Sequence, residues 1–414
     1  MNPATLSVAA LLLVIAVSLS SRINVGILAI ACAWLVAVFA AHWKAEALMA
    51  VFPSSLFLTL VGVTLLFAVA QRNGTMEGVT RRAVALCGGR SLLLLPMFFL
   101  LACAVSTVGP GAIAATALVA PLAMSVASTA GISAFLAALM VGNGANAGNL
   151  SPFSAVGVIV QSMMEQAGLG GHEWNVWAAN FTAHAIVSVA AVLLFGGREL
   201  LRGGHVHVAA RAEPWTGRHM ATLAVSAAWI VAVVVWRVQP GLSAFAAASV
   251  LILGGAVEDT AAMQGVPWSV ILMVSGVSVL VGVLEKTGGM DLFSTLLAQV
   301  STPRTVNGVI AFLTGVISTY SSTSGVVYPA FLPAVPGLVQ KLGGGNPLQV
   351  AMSINVGAAM VDVSPLSTIG ALCLAALPAG QDAKRLFRQL MAWGFSMAVV
   401  GALFCQFGIW IFAR

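Results

Sequence analysis

Long apolar stretches follow one another along almost the whole chain, separated by short polar segments. Those of helical length lie near residues 5–20, 24–42, 52–71, 131–163, 175–197, 218–237, 241–257, 267–284, 347–378 and 388–412. A helix needs about 20 apolar residues to cross the hydrocarbon core of a bilayer. The pattern therefore predicts an all-α polytopic membrane protein.

Two of these stretches, 131–163 and 347–378, contain a proline and several polar residues in their middle. Residues 149–157 read NLSPFSAVG, and residues 362–370 read DVSPLSTIG. Proline removes a backbone donor and clashes with the preceding turn, so a helix cannot pass through either segment unbroken. Unwound backbone inside a bilayer needs protein or a water-filled cavity around it. We therefore expect one broken helix in each half of the chain, beside a binding site.

The two breaks belong to a longer internal repeat. They align at an offset of 362 − 149 = 213 residues. Residues 71–77 match 285–291 at 285 − 71 = 214, and Pro121 matches Pro333 at 333 − 121 = 212. An offset this constant indicates a duplication, because chance matches between apolar runs would occur at varying offsets.

Two further stretches, 91–128 and 305–340, have a polar, glycine-containing middle. Each arm is about 15 residues long, which at a rise of about 1.5 Å per residue stops short of a hydrocarbon core of about 30 Å. We predict that both are re-entrant hairpins with tips near the middle of the bilayer. The tips would lie at residues 106–111 and 318–325.

The distribution of Lys and Arg orients these elements. If both hairpins return to the side they entered from, 12 of the 18 Lys and Arg residues share one face, which is then cytoplasmic. That face holds Arg22, Arg72, Arg81, Arg82, Arg90, Arg198, Arg202, Arg211, Arg218, Lys384, Arg385 and Arg388. Both termini then lie outside, and five spanning helices per half make the second repeat inverted relative to the first.

This topology divides the chain into two repeats joined by a cytoplasmic linker at 198–217. The first repeat, 1–197, contains a scaffold at 1–90, the hairpin at 91–128, the broken helix at 131–163 and a helix at 175–197. The second repeat, 218–414, contains a scaffold at 218–304, the hairpin at 305–340, the broken helix at 347–378 and a helix at 388–412.

Composition excludes several classes of function. The chain has 414 residues, of which 60% are hydrophobic and 7% charged, against about 25% charged in soluble domains. Its net charge of +6 is explained by the cytoplasmic Lys and Arg, so we expect no nucleic-acid partner. No nucleotide-binding motif and no acid–base constellation is present, so we expect neither an enzyme nor a resident cofactor.

Asp362 is the sharpest candidate for chemistry, because it is a carboxylate deep in an apolar segment. It could bind a cation, carry a proton, or merely cap the following half-helix. Ser151-Pro152 and Ser364-Pro365 are expected to start half-helices whose positive ends suit an anionic substrate. His184, in an apolar run, is interpreted as a packing residue.

Two repeats that each carry a hairpin and a broken helix resemble the ion transporter superfamily, which includes the divalent anion/sodium symporters. Residues 21–29, SRINVGILA, resemble the N-terminal region of the MatC malonate/dicarboxylate carriers. In the symporter family, hairpin tips and unwound loops bind Na⁺ and substrate carboxylates, although neither tip here has the asparagine of that motif. The resemblance also implies an elevator motion of 91–197 with 305–412 against a dimeric scaffold.

Carried over residue by residue, the resemblance implies two groups of ligands. The substrate-binding candidates are Ser106, Thr107, Val108, Ser151, Pro152, Ser322, Thr323, Ser364 and Pro365. The cation-binding candidates are Ser106, Asn143, Asn149, Ser321, Asn355 and Asp362.

We therefore expect a secondary transporter, coupled to Na⁺ or alternatively to H⁺, for a small dicarboxylate such as malonate or a C4 diacid. The expected setting is a homodimer in the bacterial inner (plasma) membrane. A cation/proton antiporter or an inorganic-anion carrier on the same fold is the alternative.

Overall fold

The computed structural model describes residues 2–20, 23–85, 91–196, 214–236, 238–320, 322–378 and 381–413. Within them the all-α class is confirmed, since every regular element is helical. Most of the expected linker at 198–217 lies outside the described residues, as do Arg22, Arg90, Arg198, Arg202 and Arg211, on which the charge argument partly depends.

The first half contains ten helices among the residues described. They are α1 (Pro3–Ser20), α2 (Val25–Trp34, continued by a π-helical turn at Leu35–Ala40), α3 (Ala45–Met49), α4 (Ser54–Arg72), α5 (Thr75–Ala85), α6 (Ser91–Val108), α7 (Gly111–Thr129), α8 (Ala134–Asn149), α9 (Ala155–Gln166) and α10 (Glu173–Phe195).

The second half repeats this order. Its helices are α11 (Gly217–Trp236), α12 (Pro240–Leu253), α13 (Asp259–Gln264), α14 (Trp268–Lys286), α15 (Gly289–Gln299), α16 (Val306–Tyr320), α17 (Tyr328–Phe331), α18 (Val335–Leu342), α19 (Pro347–Met360), α20 (Thr368–Ala375) and α21 (Ala383–Gly408). A π-helical turn at Thr323–Val327 and a 3-10 turn at Leu332–Ala334 make the second hairpin arm irregular where α7 is continuous.

Helices in the two halves correspond at a nearly constant spacing. The starts of α4 and α14 are 268 − 54 = 214 residues apart, and those of α8 and α19 are 347 − 134 = 213 apart. The short α5 and α15, which the apolar runs do not predict because they are amphipathic, also correspond, at 289 − 75 = 214. The repeat read from sequence motifs therefore extends to the order of the helices.

Contacts between the halves are reciprocal. Helix α2 packs on α14, and its counterpart α12 packs on α4, the counterpart of α14. Asn24 donates from Nδ2 to the Ser269 carbonyl at 2.8 Å, and Gln239 donates from Nε2 to the Thr59 hydroxyl at 2.8 Å. Exchange of equivalent contacts is what a twofold relation between two copies produces.

Glycines set the distance at both of these helix crossings. A Cβ on Gly26 would collide with the Leu272 carbonyl of α14, and a Cβ on Gly241 would collide with the backbone of Thr59 in α4. Small residues at crossings allow membrane helices to approach closely and gain van der Waals contact. The two crossings therefore join the halves through backbone packing.

The broken helices lie against the hairpins. Both arms of the first hairpin, α6 and α7, pack on α8, and the first arm of the second hairpin, α16, packs on α19. Helix α20 packs on α7, so the second broken helix also reaches the first hairpin. The two hairpins and the two breaks thus meet in the interior of the molecule.

The outer surface is apolar. Five helices are long and apolar enough to cross a membrane by length and composition among the residues described, namely Ser54–Arg72, Gly111–Ser128, Glu173–Phe195, Trp268–Lys286 and Ala383–Ile411. Large side chains on the outside stay exposed, with Leu253 at 88% and Phe407 at 71%. Such an apolar exterior fits a protein surrounded by lipid.

The Gly241 crossing gives a test of how the halves are joined. Gly241→Ala places a methyl group against the Thr59 backbone, and overpacking of this kind typically costs about 1–3 kcal/mol. We expect the thermal unfolding midpoint in detergent to fall by several degrees. Gly217→Ala is the matched control, because no atom lies within 4 Å of the added Cβ there. Equal midpoints for the two variants would contradict the close crossing.

Candidate functional site

In the first half, hydrogen bonds fasten the helix break to the hairpin tip. Asn149 accepts at Oδ1 from the Ala112 amide at 2.9 Å, in the first turn of α7. The Ala155 amide, in the first turn of α9, donates to the Gly109 carbonyl at 3.0 Å. The Ser151 hydroxyl donates to the Thr107 carbonyl. The break and the tip are therefore joined by three hydrogen bonds, although the buried hydroxyls of Ser106 and Ser154 have no protein partner.

In the second half, the equivalent connection contains a carboxylate. Asp362 accepts at Oδ1 from the Thr323 hydroxyl at 2.6 Å, and Ser318 lies within hydrogen-bond reach of the same hydroxyl. The Ser367 hydroxyl contacts the Asp362 carbonyl and donates to the Ser364 carbonyl at 2.9 Å. Asp362 thus occupies the position of Asn149 and binds the start of the second hairpin arm, as Asn149 does in the first.

The half-helices begin later than the sequence predicts. Helix α9 begins at Ala155 with Ser154 as its N-cap, and α20 begins at Thr368 with Ser367 as its N-cap. The expectation that Ser151-Pro152 and Ser364-Pro365 start them is wrong. The reason is that the residues between form a turn in each break, and the Ser151 hydroxyl bonds the tip carbonyl instead of a helical amide.

Glycine is required at the same place in the first turn of both half-helices. A Cβ on Gly157 would collide with the Ser151 carbonyl, and a Cβ on Gly370 would collide with the Ser364 carbonyl. At the first tip, Gly111 has φ +76°, a left-handed conformation that other residues rarely adopt. These glycines allow the chain to turn inside the protein without a larger opening.

The breaks and tips border a small cleft, in which about 50 Å³ is open to water-sized atoms. It is lined by residues of both halves: Ala112, Ile113, Asn149, Val156, Ser322, Thr323, Ser324, Asp362, Ser367, Thr368 and Ile369. Among these lining residues, Asp362 alone carries a charged side chain, and it is 8% exposed.

The two walls of the cleft differ in polarity. The first-half wall presents the opening turns of α7 and α9 at Ile113 and Val156, and helix N-termini carry partial positive charge. The second-half wall presents Asp362 and the hydroxyls of Ser322 and Thr323. Hard cations prefer such oxygen ligands, by extension of the rules for Ca²⁺ and Mg²⁺. The cleft can therefore place a cation on one wall and an anionic group on the other.

Transition-metal chemistry has no comparable donors in the described part of the chain, where no group of three or more His, Cys, Asp or Glu could hold a metal ion. The carboxylate and hydroxyl oxygens that line the cleft are ligands of the kind that hard cations prefer.

The structure brings some of the sequence-predicted residues into the cleft and leaves others outside its lining. Asn149, Ser322, Thr323 and Asp362 line it. Close by, in the breaks and the first tip, lie Ser106, Thr107, Val108, Ser151, Pro152, Ser364 and Pro365. Ser321 lies outside the described residues.

The two remaining cation candidates lie within helices, before the breaks. Asn143 contacts His184, with Oδ1 and Nδ1 3.1 Å apart. Asn355 donates from Nδ2 to the sulfur of Met164 at 3.5 Å. Neither belongs to the lining of the cleft.

Sequence reasoning missed four polar or backbone contributors. Ser367 and Thr368 lie two and three residues after the second proline, and Ser324 ends the run of hydroxyls at the second tip. The repeat offset gives a signal for Ser367, because 367 − 213 = 154 is also serine. No side-chain signal marks Ala112, which contributes a backbone amide.

Comparisons with known proteins find similarity in the N-terminal sequence and in the fold. Residues 1–149 match the family model for the dicarboxylate carrier protein MatC N-terminus. No curated protein matches the chain. The YdaH transporter of Alcanivorax borkumensis is similar in structure, with TM-score 0.61, 15% identity, and coverage of 99% of this chain and 98% of that one.

A second similar structure is MtrF of Neisseria gonorrhoeae, described as one of a class of antimetabolite efflux pumps. It gives TM-score 0.59 and 12% identity, and covers 99% of this chain and 96% of that one. At such identities the likeness establishes the fold. The chain shares the fold of these two structures.

Thr323 tests whether the second wall of the cleft binds ligands. Thr323→Val removes the hydroxyl that contacts Asp362 while keeping the shape. Loss of one such hydrogen bond typically costs about 0.5–1.5 kcal/mol, and more with a charged partner. We expect the apparent affinity for substrate and cation in proteoliposome uptake to fall roughly several-fold to tens-fold.

The matched control is Thr314→Val, in the same hairpin, because the Thr314 hydroxyl bonds only backbone carbonyls of its own helix. We expect this variant to transport normally. Wild-type affinity in Thr323→Val would exclude the hydroxyl from the binding site.

Proposed function

We propose that the chain is a cation-coupled secondary transporter of a small dicarboxylate, such as malonate or a C4 diacid. The observation that carries this proposal is the position of Asp362 in a cleft that both halves line and that no lysine or arginine of the described residues lines. The match of residues 1–149 to a dicarboxylate carrier model supports the substrate class.

Charge in the cleft makes a co-bound cation necessary for an anionic substrate. Two like charges about 6 Å apart repel by about 3 kcal/mol at an effective dielectric constant of about 20. A dicarboxylate carries two negative charges, so ionised Asp362 would oppose it by several kcal/mol. A cation beside Asp362 reverses the sign of this interaction. Binding of the cation therefore precedes and permits binding of the dicarboxylate.

In this proposal the cation and the substrate bind to opposite walls of the cleft. The cation would lie against Asp362, Thr323 and Ser322, where carboxylate and hydroxyl oxygens are available. One substrate carboxylate would lie toward the first turns of α7 and α9, near Ile113 and Val156. The substrate would thus be held by helix ends and the bound cation, without an arginine clamp.

Sodium is the proposed coupling ion, and H⁺ is the second candidate. Proton coupling is favoured by one observation, which is that Asp362 is a titratable group buried among hydroxyls. Protonation would remove the same negative charge that a bound Na⁺ would offset. Antiport of a cation against H⁺, or transport of an inorganic anion, would use the same site.

Alternating access is proposed to occur by an elevator motion of the hairpins and broken helices against the scaffold. Glycines face scaffold side chains at both tips, since a Cβ on Gly109 would collide with the Phe67 ring and one on Gly325 with the Met273 sulfur. The elevator motion would have to withdraw these two side chains from the glycine positions that they contact. The inverted topology, a homodimer and a bacterial inner membrane with external termini complete the proposal.

Asp362→Asn tests the role of the carboxylate. Asparagine keeps the size and caps helices about as well as aspartate, so a purely structural role survives the change. If Asp362 serves the cation, dicarboxylate uptake by this variant should show a weaker dependence on Na⁺ or on pH. The measurement is dicarboxylate uptake into proteoliposomes over a range of Na⁺ concentrations and pH values. If uptake by the variant depends on Na⁺ concentration and on pH as it does in the wild type, Asp362 has a structural role only.

Single cysteines test the proposed topology. A cysteine in place of Arg72 should react with a membrane-impermeant maleimide only from the cytoplasm. One in place of Arg304 should react only from outside, because the second repeat is inverted in the proposal. Labelling of both from the same side would rule out inversion and leave the transport site to be tested separately.

A further inference from the structure

A row of buried polar side chains lies between α8 and α10, away from the lining of the cleft. Asn143 and Asn146 lie one turn apart on α8, and Asn180, His184 and Ser188 follow at one-turn spacing on α10. All five are buried, four of them completely. A membrane protein that buries five polar groups in one helix interface needs a reason for them.

Only part of this row is satisfied by protein. Asn180 donates from Nδ2 to the Asn146 carbonyl at 2.6 Å, and His184 Nδ1 lies 3.1 Å from Asn143 Oδ1. Six buried side-chain atoms have no protein partner: Asn143 Nδ2, Asn146 Nδ2 and Oδ1, Asn180 Oδ1, His184 Nε2 and Ser188 Oγ. Each such group typically costs about 1–3 kcal/mol when dry. Six together call for a ligand.

The six unpartnered atoms include both hydrogen-bond donors and acceptors, and this mixture indicates what the ligand is. The amide nitrogens of Asn143 and Asn146 are donors, whereas the amide oxygens of Asn146 and Asn180 are acceptors. With the His184 proton on Nδ1, facing the Asn143 oxygen, Nε2 is a further acceptor. A cation would be repelled by the donors, and an anion by the acceptors. Water serves both, and buried waters typically make about three hydrogen bonds each.

A small cavity lies at one end of the row, lined by Gln161, His172, Glu173 and Val176, among others. About 10 Å³ of it is open to water-sized atoms, which is close to the room that one water needs. Gln161 Nε2 and Trp177 Nε1 also lack protein partners, and Trp177 lies on α10 one turn before Asn180. Polar groups therefore continue from the cavity to the buried row.

The fold itself does not require this row. At the repeat offset, 143 + 213 = 356 is valine and 146 + 213 = 359 is alanine. The equivalent helix α19 thus packs with apolar residues at both positions. Helix α19 does bury Asn355, whose Oδ1 also lacks a protein partner, but it does not repeat the pair of asparagines found on α8.

We propose that the α8–α10 interface is a water-binding site, in which ordered waters extend from the cavity at Gln161 along Asn146 and Asn180 to His184 and Ser188. The site would place a hydrated path inside the first broken helix, whose last residue, Asn149, lines the cleft. The proposal is independent of the substrate and of the coupling ion.

Radiolytic hydroxyl-radical footprinting of the purified full chain tests the site, because radicals formed from ordered waters label the side chains beside them. We expect His184 to be oxidised several-fold faster than Phe98 and Met352, which are equally buried in apolar surroundings. Labelling of His184 no faster than that of these controls would overturn the proposal.

Asn146→Leu gives a second measurement with opposite outcomes for a wet and a dry interface. In a dry interface, leucine removes two unsatisfied atoms and should raise the thermal unfolding midpoint. In a hydrated one, the waters lose two partners, so the midpoint should fall and His184 labelling should decrease. Asn146→Ser, which keeps a polar group for the waters, should retain most of the labelling. A raised midpoint in Asn146→Leu contradicts the proposal.

Discussion

The negative charge of Asp362 is the constraint around which the site is built. The carboxylate is almost fully buried, it accepts a hydrogen bond from Thr323, and no lysine or arginine of the described chain shares the lining of its cleft. A buried carboxylate needs a counter-charge or a proton. In the proposed function, this requirement makes substrate binding depend on a cation, and that dependence is the physical basis of the coupling.

The two halves share the same order of helices, and they differ in the residue that stands at the helix break. Asn149 and Asp362 occupy equivalent positions and each binds the start of a hairpin arm. The neutral amide leaves the first wall to the helix ends, whereas the carboxylate makes the second wall a place for a cation. A symmetric pair of carboxylates would repel an anion more strongly, and a pair of amides would offer no charge for coupling.

Much of this arrangement follows from the sequence, because proline and polar residues inside apolar runs mark the breaks directly. The starts of the half-helices do not follow, since Ser151 and Ser154 are equally good caps by type, and only the contact with Thr107 decides between them. Helices α5 and α15 were missed because they are amphipathic. The apolar run around His184 predicts a packing residue, and it gives no sign of the contact with Asn143, which lies 184 − 143 = 41 residues earlier in the chain.

Equilibrium binding of a radiolabelled dicarboxylate to the purified protein tests the central claim most directly, because it separates binding from transport. The measurement compares Na⁺ with choline at high and at low pH. The account predicts tight binding with Na⁺, or at low pH if H⁺ is the coupling ion, and binding at least tens-fold weaker in choline at high pH. Equal affinity under all four conditions would contradict a cation requirement imposed by Asp362.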